Sequence, residues 1–298
     1  MNRFLDEAQV GAALSWGRLI PELERALISF SAGLVTQPVR TILNVSSHGK
    51  RFGIMPAVYG NVVGAKLVTV FDGNTTLQLP THQAIIQLFD ARTGTPLATM
   101  DGRLITEMRT AAVSAIATRL LSNADARVLA VLGSGVQARS HIHAIRLVRN
   151  IEEIRIWSRT REHAERLANE VGGHAMSAEQ AVEGADIVVA VTAAREPILY
   201  GRWLKPGAHV NAVGAVGPSV RELDDEAMAN IVVVESREAA LKESGDILLS
   251  HAFIESELGE LLAGTKQIHP SQTTIYKSLG IAVEDLAAAK VVWSAVSL

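Results

Sequence analysis

The chain has 298 residues, 48% apolar and 20% charged, which describes a globular protein with room for one large or two ordinary domains. A formal net charge of −3 and the lack of a long basic run argue against nucleic acid as the main partner. With no cysteine, disulfides, thiolate metal sites and cysteine nucleophiles are excluded.

The opening MNRFLDEAQVGAAL is too polar for a secretory signal, and no apolar run reaches the ~18 residues of a membrane span. No membrane partner and a cytoplasmic setting are therefore expected. Residues 4 to 30 carry apolar side chains at helical spacing (Leu5, Val10, Leu14, then Leu19, Leu23, Leu27), which predicts two short helices. From 39 to 100 the pattern changes to the β-rich runs RTILNV, GAKLVTVF, QAIIQLFD and PLATMDG, punctuated by DGN and RTGTP. A meandering, mostly antiparallel sheet is expected there. TEMRTAAVSAIATRLL (106–121) predicts a helix with its apolar stripe at Val113, Ile116, Ala117 and Leu120.

Beyond it, RVLAVLG, EIRIWSR, GADIVVAVT, GAHVNAVG and NIVVVES alternate with helical or loop crossovers, as buried parallel strands do. The expected fold class is α/β: a Rossmann-type doubly wound parallel sheet domain over 119–275 joined to an α+β domain over 1–118. A last helix within 276–298 is placed to return to the first domain.

VLAVLGSGVQARSHIHAI sets Gly133, Gly135 and Ala138 between a strand and a helix. Gly133 permits the tight turn, Gly135 lets backbone approach a pyrophosphate, and Ala138 keeps the helix near the strand. With Val136 and Gln137 they form a dinucleotide-binding loop whose helix N-terminus offers free N–H groups. At the end of the next strand, WSRTRE places Ser158, Arg159 and Thr160 where a carboxylate would bind a ribose 2′-hydroxyl. A guanidinium there favours the 2′-phosphate of NADP over NAD, with solvated surface charges at Arg159 and Arg161 as the alternative.

Three cations stand where apolar pattern surrounds them. Arg109 lies on the stripe of its helix and in the first turn expected for it, where the dipole disfavours a cation. Buried, it requires an anion, either a substrate carboxylate or a cofactor phosphate. Lys66 interrupts GAKLVTVF and Arg40 precedes TILNV; for these two an edge-strand gatekeeper facing water is the alternative. His141 and His143, two apart on a helix, are no metal pair, and no HExxH spacing or GxSxG elbow occurs, so no metal site is expected. RELDDE reads as acids capping a helix, and His82 in PTHQA as either a ligand contact or a structural histidine.

These motifs, in order, carry a resemblance: MP followed by Lys66, then PTHQA, TGTPLATMDG, ITEMRTAAVSAIAT, GSGVQA, WSRT, NAVGAVGPSVRELDDE, GDI and TIYKSLGIAVEDLAAA. The chain resembles the ornithine cyclodeaminase/μ-crystallin family over nearly its whole length, and the μ-crystallin branch more than the deaminases. The resemblance implies a homodimer whose N-terminal domain forms the subunit interface and substrate site, and a Rossmann domain that binds a nicotinamide cofactor. It gives Arg40, Lys66 and Arg109 the substrate carboxylate, and Thr81, His82 and Thr110 the cofactor side. Val191, Thr192 and Val213 would border the dinucleotide, with Lys277, Ser278 and Leu279 closing over the nicotinamide.

Two departures stand out. The deaminases carry an aspartate in the loop where this chain has Val216, and a glutamate three residues before the MP proline, here Gly53. Expelling ammonia needs a positioned base, whereas reducing a cyclic imine needs a hydride and a held carboxylate. An NADPH-dependent reductase of Δ1-pyrroline-2-carboxylate or Δ1-piperideine-2-carboxylate to the cyclic L-amino acid is therefore expected. The rivals are a cyclodeaminase or amino-acid dehydrogenase of the same fold, and a ligand-binding protein in which NADPH is structural.

Overall fold

The computed structural model describes residues 3–46 and 49–297, which fall into two compact units: the described residues up to 109 together with those from 280 onward, and 110–279. These boundaries compare with 118/119 and 275/276 expected from sequence.

The first unit opens with strand β1 (Arg3–Leu5) and helices α1 (Glu7–Ala13) and α2 (Trp16–Ser31). Asp6 caps α1 in a capping box with Gln9, which fixes where that helix starts. The chain then runs through β2 (Thr41–Ser46), β3 (Lys50–Tyr59), β4 (Val62–Phe71), β5 (His82–Asp90) and β6 (Pro96–Asp101). The six strands order as β1-β6-β5-β4-β3-β2, antiparallel except for β1 against β6. The expected meander is present, with two strands that the sequence runs did not mark, the three-residue β1 and the ten-residue β3.

Helix α3 (Arg103–Leu121) follows. The expected one-sided stripe is not what forms: every residue from Arg109 to Thr118 is buried, and Leu120 is partly exposed. Small residues make all-round burial possible, and a helix apolar on every side belongs inside.

The second unit alternates β7 (Val128–Leu132), α4 (Val136–Arg146), β8 (Glu153–Trp157), α5 (Arg161–Val171), β9 (His174–Ala175), α6 (Ala178–Val182), β10 (Ile187–Ala190) and β11 (His209–Ala212). It continues through α7 (Asp225–Met228), β12 (Ile231–Val234), α8 (Arg237–Glu243), α9 (Gly245–Ser250), β13 (Ile254–Glu257), α10 (Leu258–Leu262) and β14 (Thr274–Lys277). The sheet is parallel throughout, in the order β13-β12-β14-β11-β10-β7-β8-β9. Leu129, Val131, Ile154, Ile156, Ile187 and Val189 pack with Ile142, Ile145 and Leu167 into one core on the sheet face under α4 and α5. The chain leaves β7 toward β8 and returns on its other side at β10. That reversal makes the carboxyl ends of β7 and β10 the topological switch point, the ligand position of doubly wound sheets.

The chain ends with α11 (Ala282–Val296), buried on nearly all sides and packed on β3, β4, β5 and α2 within the first unit. Glu22 of α2, itself buried, takes the Lys290 ammonium at 3.1 Å and the Tyr59 hydroxyl at 3.2 Å. Among the described residues no helix is long and apolar enough to cross a membrane.

Candidate active site

In the first unit the side-chain alternation of β4 sends Val62, Gly64, Lys66 and Val68 to the same buried face. Lys66 pairs in register with Met55 on one side and Ile86 on the other, so its strand is interior and the gatekeeper reading fails. Only 2% exposed, its ammonium lies 2.7 Å from Asp285 Oδ2 in the first turn of α11. Arg109 stands two turns into α3 rather than in the first, because the helix begins at Arg103. Its Nε donates to Asp285 Oδ1 at 3.1 Å and its Nη1 to Glu284 Oε2 at 2.8 Å. The anion that a buried guanidinium demands is thus supplied by the chain itself. The first turn of α11 suits both carboxylates, because a helix N-terminus favours negative charge.

Gly280 makes this arrangement possible. Its φ is +71°, and a Cβ there would sit 2.1 Å from Arg109 Nη1. Its carbonyl accepts a 2.7 Å hydrogen bond from Arg40 Nη2, which brings the third cation to the cluster. Three cations against Glu284 and Asp285 leave one net positive charge. Burial lowers the Lys66 pKa to about 8, helped by Arg109 and Arg40 and opposed by Asp285. Burial pushes Asp285 up, but Lys66 and Arg109 outweigh it and hold the carboxyl below its usual range. Burial together with Lys66 and Arg109 depresses His82, at the start of β5, to about 4, so its ring is neutral at pH 7. Thr81 precedes it, its carbonyl accepting from Phe71 N–H at 2.8 Å.

In the second unit Gly133 turns the chain after β7 with φ +132°, where a Cβ would meet Val191 O at 2.7 Å. Gly135 caps α4 with no side chain to satisfy the first N–H groups, and a Cβ built on it meets nothing within 4 Å. Open space beside unsatisfied N–H groups is what a pyrophosphate requires. Gln137 Oε1 is buried there without a hydrogen-bond partner. His141 anchors the turn from below: Nδ1–H donates to Gln137 O at 2.7 Å, and Nε2 accepts from the Ser114 hydroxyl at 3.0 Å. Burial lowers its pKa to about 4, which suits that neutral tautomer. Ser134 and Ser158 hydroxyls meet at 2.9 Å, while Arg159 and Thr160 are exposed at the end of β8. These groups fit a dinucleotide.

The loops after β10 and β11 are organised by residues that sequence reading assigned elsewhere. Glu222, read as a capping acid, is fully buried. Its Oε1 accepts from Thr192 N–H at 2.7 Å and Oγ1–H at 2.6 Å, and its Oε2 from Gly214 N–H at 2.7 Å and Ala215 N–H at 3.1 Å. Asp224 is the acid of RELDDE that caps a helix, accepting from Ala227 N–H. Lys277 is also fully buried; its ammonium donates to Ala215 O at 2.7 Å and lies 2.9 Å from Asp246 Oδ2. Ser278 Oγ and Leu279 N–H both donate to Glu235. All three side chains or amides expected at the nicotinamide are thus engaged within their own unit.

Of the residues singled out from sequence, Arg40, Lys66, Arg109 and His82 gather in the first unit. Gly133, Gly135, Val136, Gln137, Ser158, Val191, Thr192 and Val213 line the carboxyl ends of parallel strands in the second. Thr110 is buried in α3. Glu222, Asp246, Gly280, Glu284 and Asp285 were overlooked as site residues, although GDI and GIAVEDL stood among the recognised motifs.

The family model described as ornithine cyclodeaminase/mu-crystallin matches residues 1–297. The ketimine reductase mu-crystallin of Mus musculus is 52% identical over 284 residues, covering 92% of this chain and 91% of that one. The Delta(1)-pyrroline-2-carboxylate reductase of Thermococcus litoralis, solved with NADH and L-proline, superposes with a TM-score of 0.94 at 34% identity, covering 99% and 97% of the two chains. An archaeal alanine dehydrogenase dimer with bound NAD gives 0.95 at 28% identity, covering 99% and 96%. With its two buried charge clusters and its dinucleotide turn, this chain belongs to the ornithine cyclodeaminase/mu-crystallin family.

Proposed function

We propose that the chain is an NADPH-dependent reductase that converts a cyclic ketimine carboxylate, Δ1-pyrroline-2-carboxylate or Δ1-piperideine-2-carboxylate, to the cyclic L-amino acid. The observation that carries this reading is the charge of the first-unit cluster. Three cations and two carboxylates leave one positive charge in a buried place, the complement of one substrate carboxylate. Arg40, Lys66 and Arg109 would hold that carboxylate. The names of the Thermococcus and Mus relatives describe the same chemistry.

Gly133, Gly135, Val136 and Gln137 would hold the pyrophosphate, Ser158, Arg159 and Thr160 the adenosine 2′-phosphate, and Val191, Thr192 and Val213 the nicotinamide half. The cofactor supplies a hydride to the carbon of C=N. A protonated imine becomes a neutral ring amine when its carbon gains hydride, so no base is required. Lys66, with a pKa of about 8, is the group of its cluster able to hand on a proton near neutrality. Deamination lacks its carriers: Val216 holds no proton, and around Gly53 a Cβ would already meet Val68 at 2.9 Å and Ile42 at 3.2 Å. We also propose a homodimer through β2, a sheet edge that exposes Ile42, Leu43 and Val45.

The direct test is oxidation of NADPH and NADH with pyrroline-2-carboxylate, piperideine-2-carboxylate and pyruvate plus ammonia, beside NAD reduction with ornithine and alanine. Imine reduction should dominate; ornithine turnover at a matching rate would overturn the assignment. Arg109→Ala should lower kcat/KM by about two to four orders of magnitude, since stripping a buried charge partner costs ~3–5 kcal/mol. Intact activity in a folded variant would remove Arg109 from the site. Loss of the Lys66 ammonium as pH rises through about 8 should lower kcat/KM on the alkaline side, and Lys66→Arg should carry that limb to higher pH. A limb unmoved in Lys66→Arg would assign it to the imine. Ser158→Asp with Arg159→Leu should shift preference toward NADH, and an unchanged NADPH/NADH ratio would refute the role given to the end of β8. Sedimentation of the chain at micromolar concentration should give a dimer that Leu43→Lys dissociates; a wild-type monomer would exclude the β2 interface.

A further inference from the structure

The second unit holds a closed ring of buried groups at the carboxyl ends of its strands. Glu222 Oε2 accepts from Ala215 N–H, and Ala215 O accepts from the Lys277 ammonium. That ammonium pairs with Asp246 Oδ2, and Asp246 Oδ1 accepts from Glu222 N–H at 2.8 Å. Glu222, Asp246 and Lys277 are each fully buried, so two carboxylates and one ammonium leave one negative charge without contact to solvent. Asp246 also takes Leu223 N–H at 3.0 Å, and the Glu222 carbonyl accepts from Ile198 and Leu199 N–H, so the backbone carrying the carboxylate is fixed on both sides.

Burial raises the Glu222 carboxyl above its ordinary range, opposed by the Lys277 ammonium and the Thr192 donors, and its hydrogen-bond geometry is that of the ionised form. Its oxygens face three backbone N–H groups and the Thr192 hydroxyl, whose oxygen already accepts from Ala194 N–H at 3.1 Å and so turns its hydrogen to Glu222. Four donors and no acceptor suit a carboxylate. Retaining an uncompensated buried charge is costly for stability alone, since a neutral glutamine of the same size would avoid it. The position of the charge suggests what offsets that cost. The end of β8 reads the adenosine side of a bound dinucleotide. The ends of β10, β11 and β14 therefore border the nicotinamide half, and Glu222 lies beneath the first two.

We infer that Glu222 is a positioning residue of the dinucleotide site: its carboxylate fixes the loops after β10 and β11, and the net negative charge it creates with Asp246 and Lys277 favours the positively charged oxidised nicotinamide over the neutral reduced ring. Hydride transfer to an imine turns the reduced ring into the oxidised one, so the ring's charge favours the direction of reduction. The inference rests on the reading of the second unit as the site of a nicotinamide dinucleotide.

Titration of the full chain with NADP+ and NADPH, separately, tests it without turnover. Glu222→Gln should weaken both through the loosened loops. It should weaken NADP+ by a further about four- to fifteen-fold, the size of a unit charge acting across roughly 10 Å at an effective dielectric of ~40 to ~20. Asp246→Asn removes the same charge while leaving the four bonds of Glu222 in place, and should shift the NADP+/NADPH affinity ratio in the same direction. It decides the matter should Glu222→Gln not fold. An equal loss for both ligands in both variants would reduce Glu222 to a structural brace and overturn the inference, as would an unchanged ratio in Asp246→Asn. Binding of neither cofactor by the wild-type chain would overturn the proposed function itself, a result distinct from either.

Discussion

The pairing of Lys66 and Arg109 with Asp285 and Glu284 is the constraint from which the organisation of the first unit follows. Two cations on a sheet strand and a buried helix face cannot stay charged without anions within contact distance, and leaving either unpaired costs several kcal/mol. The anions come from a helix some 175 residues later in the chain. The polypeptide must therefore complete the whole second unit before the first can close. That is why α11 belongs with 1–109 and not with the parallel sheet that precedes it. Gly280, immediately before α11, is shaped by the same need: its missing Cβ gives the Arg109 guanidinium its place, and its carbonyl binds Arg40.

The second unit solves a related problem with the opposite sign. Its strands β7, β10 and β12 are apolar throughout, yet the carboxyl ends of the sheet must present polar loops to a ligand. Buried carboxylates gather the N–H groups that those loops would otherwise leave unsatisfied. A loop built this way is stiff without carrying any reactive side chain on its surface. The stretch from Gly214 to Ser219, which has no acid or base of its own, is held from beneath by Glu222 and Lys277. One cluster carries excess positive charge and the other excess negative charge. A carboxylate substrate and an oxidised nicotinamide are the respective complements.

Much of this was legible in the sequence, for physical reasons. Gly133, Gly135 and Ala138 follow from local backbone geometry, which a short motif encodes. The parallel strands declare themselves by apolar runs, and Lys66 and Arg109 by interrupting apolar pattern. What escaped is non-local. Glu284 and Asp285 sit in the first turn of a helix, where acids are also favoured by the dipole, so their second role leaves no separate mark on the pattern. Glu222 and Asp224 are two residues apart in one acidic run, and only the fold decides that the second caps a helix while the first is buried under two loops. The resemblance set Lys277 over the nicotinamide, but its ammonium is buried against Asp246 and the Ala215 carbonyl. β13 and β14 escaped because three of the four residues of IESE are polar and TIYK is only four residues long.

The same geometry bears on why Val216 and Gly53 matter more together than apart. A lone missing carboxylate could be replaced by a neighbour, but the cluster's own acids are already committed. Asp285 is bound to Lys66 and Arg109, Glu284 to Arg109, and the depressed pKa of Asp285 marks it as a poor proton acceptor. His82 is neutral with a pKa near 4, too weakly basic to take an ammonium proton efficiently. Asp285 is thus a fixed charge and His82 a weak base, whereas Lys66 is protonated below about pH 8 and so is able to donate. Among the described residues, a cluster that holds a protonated lysine beside carboxylates already paired with cations suits adding hydride to an imine better than removing protons from an amine.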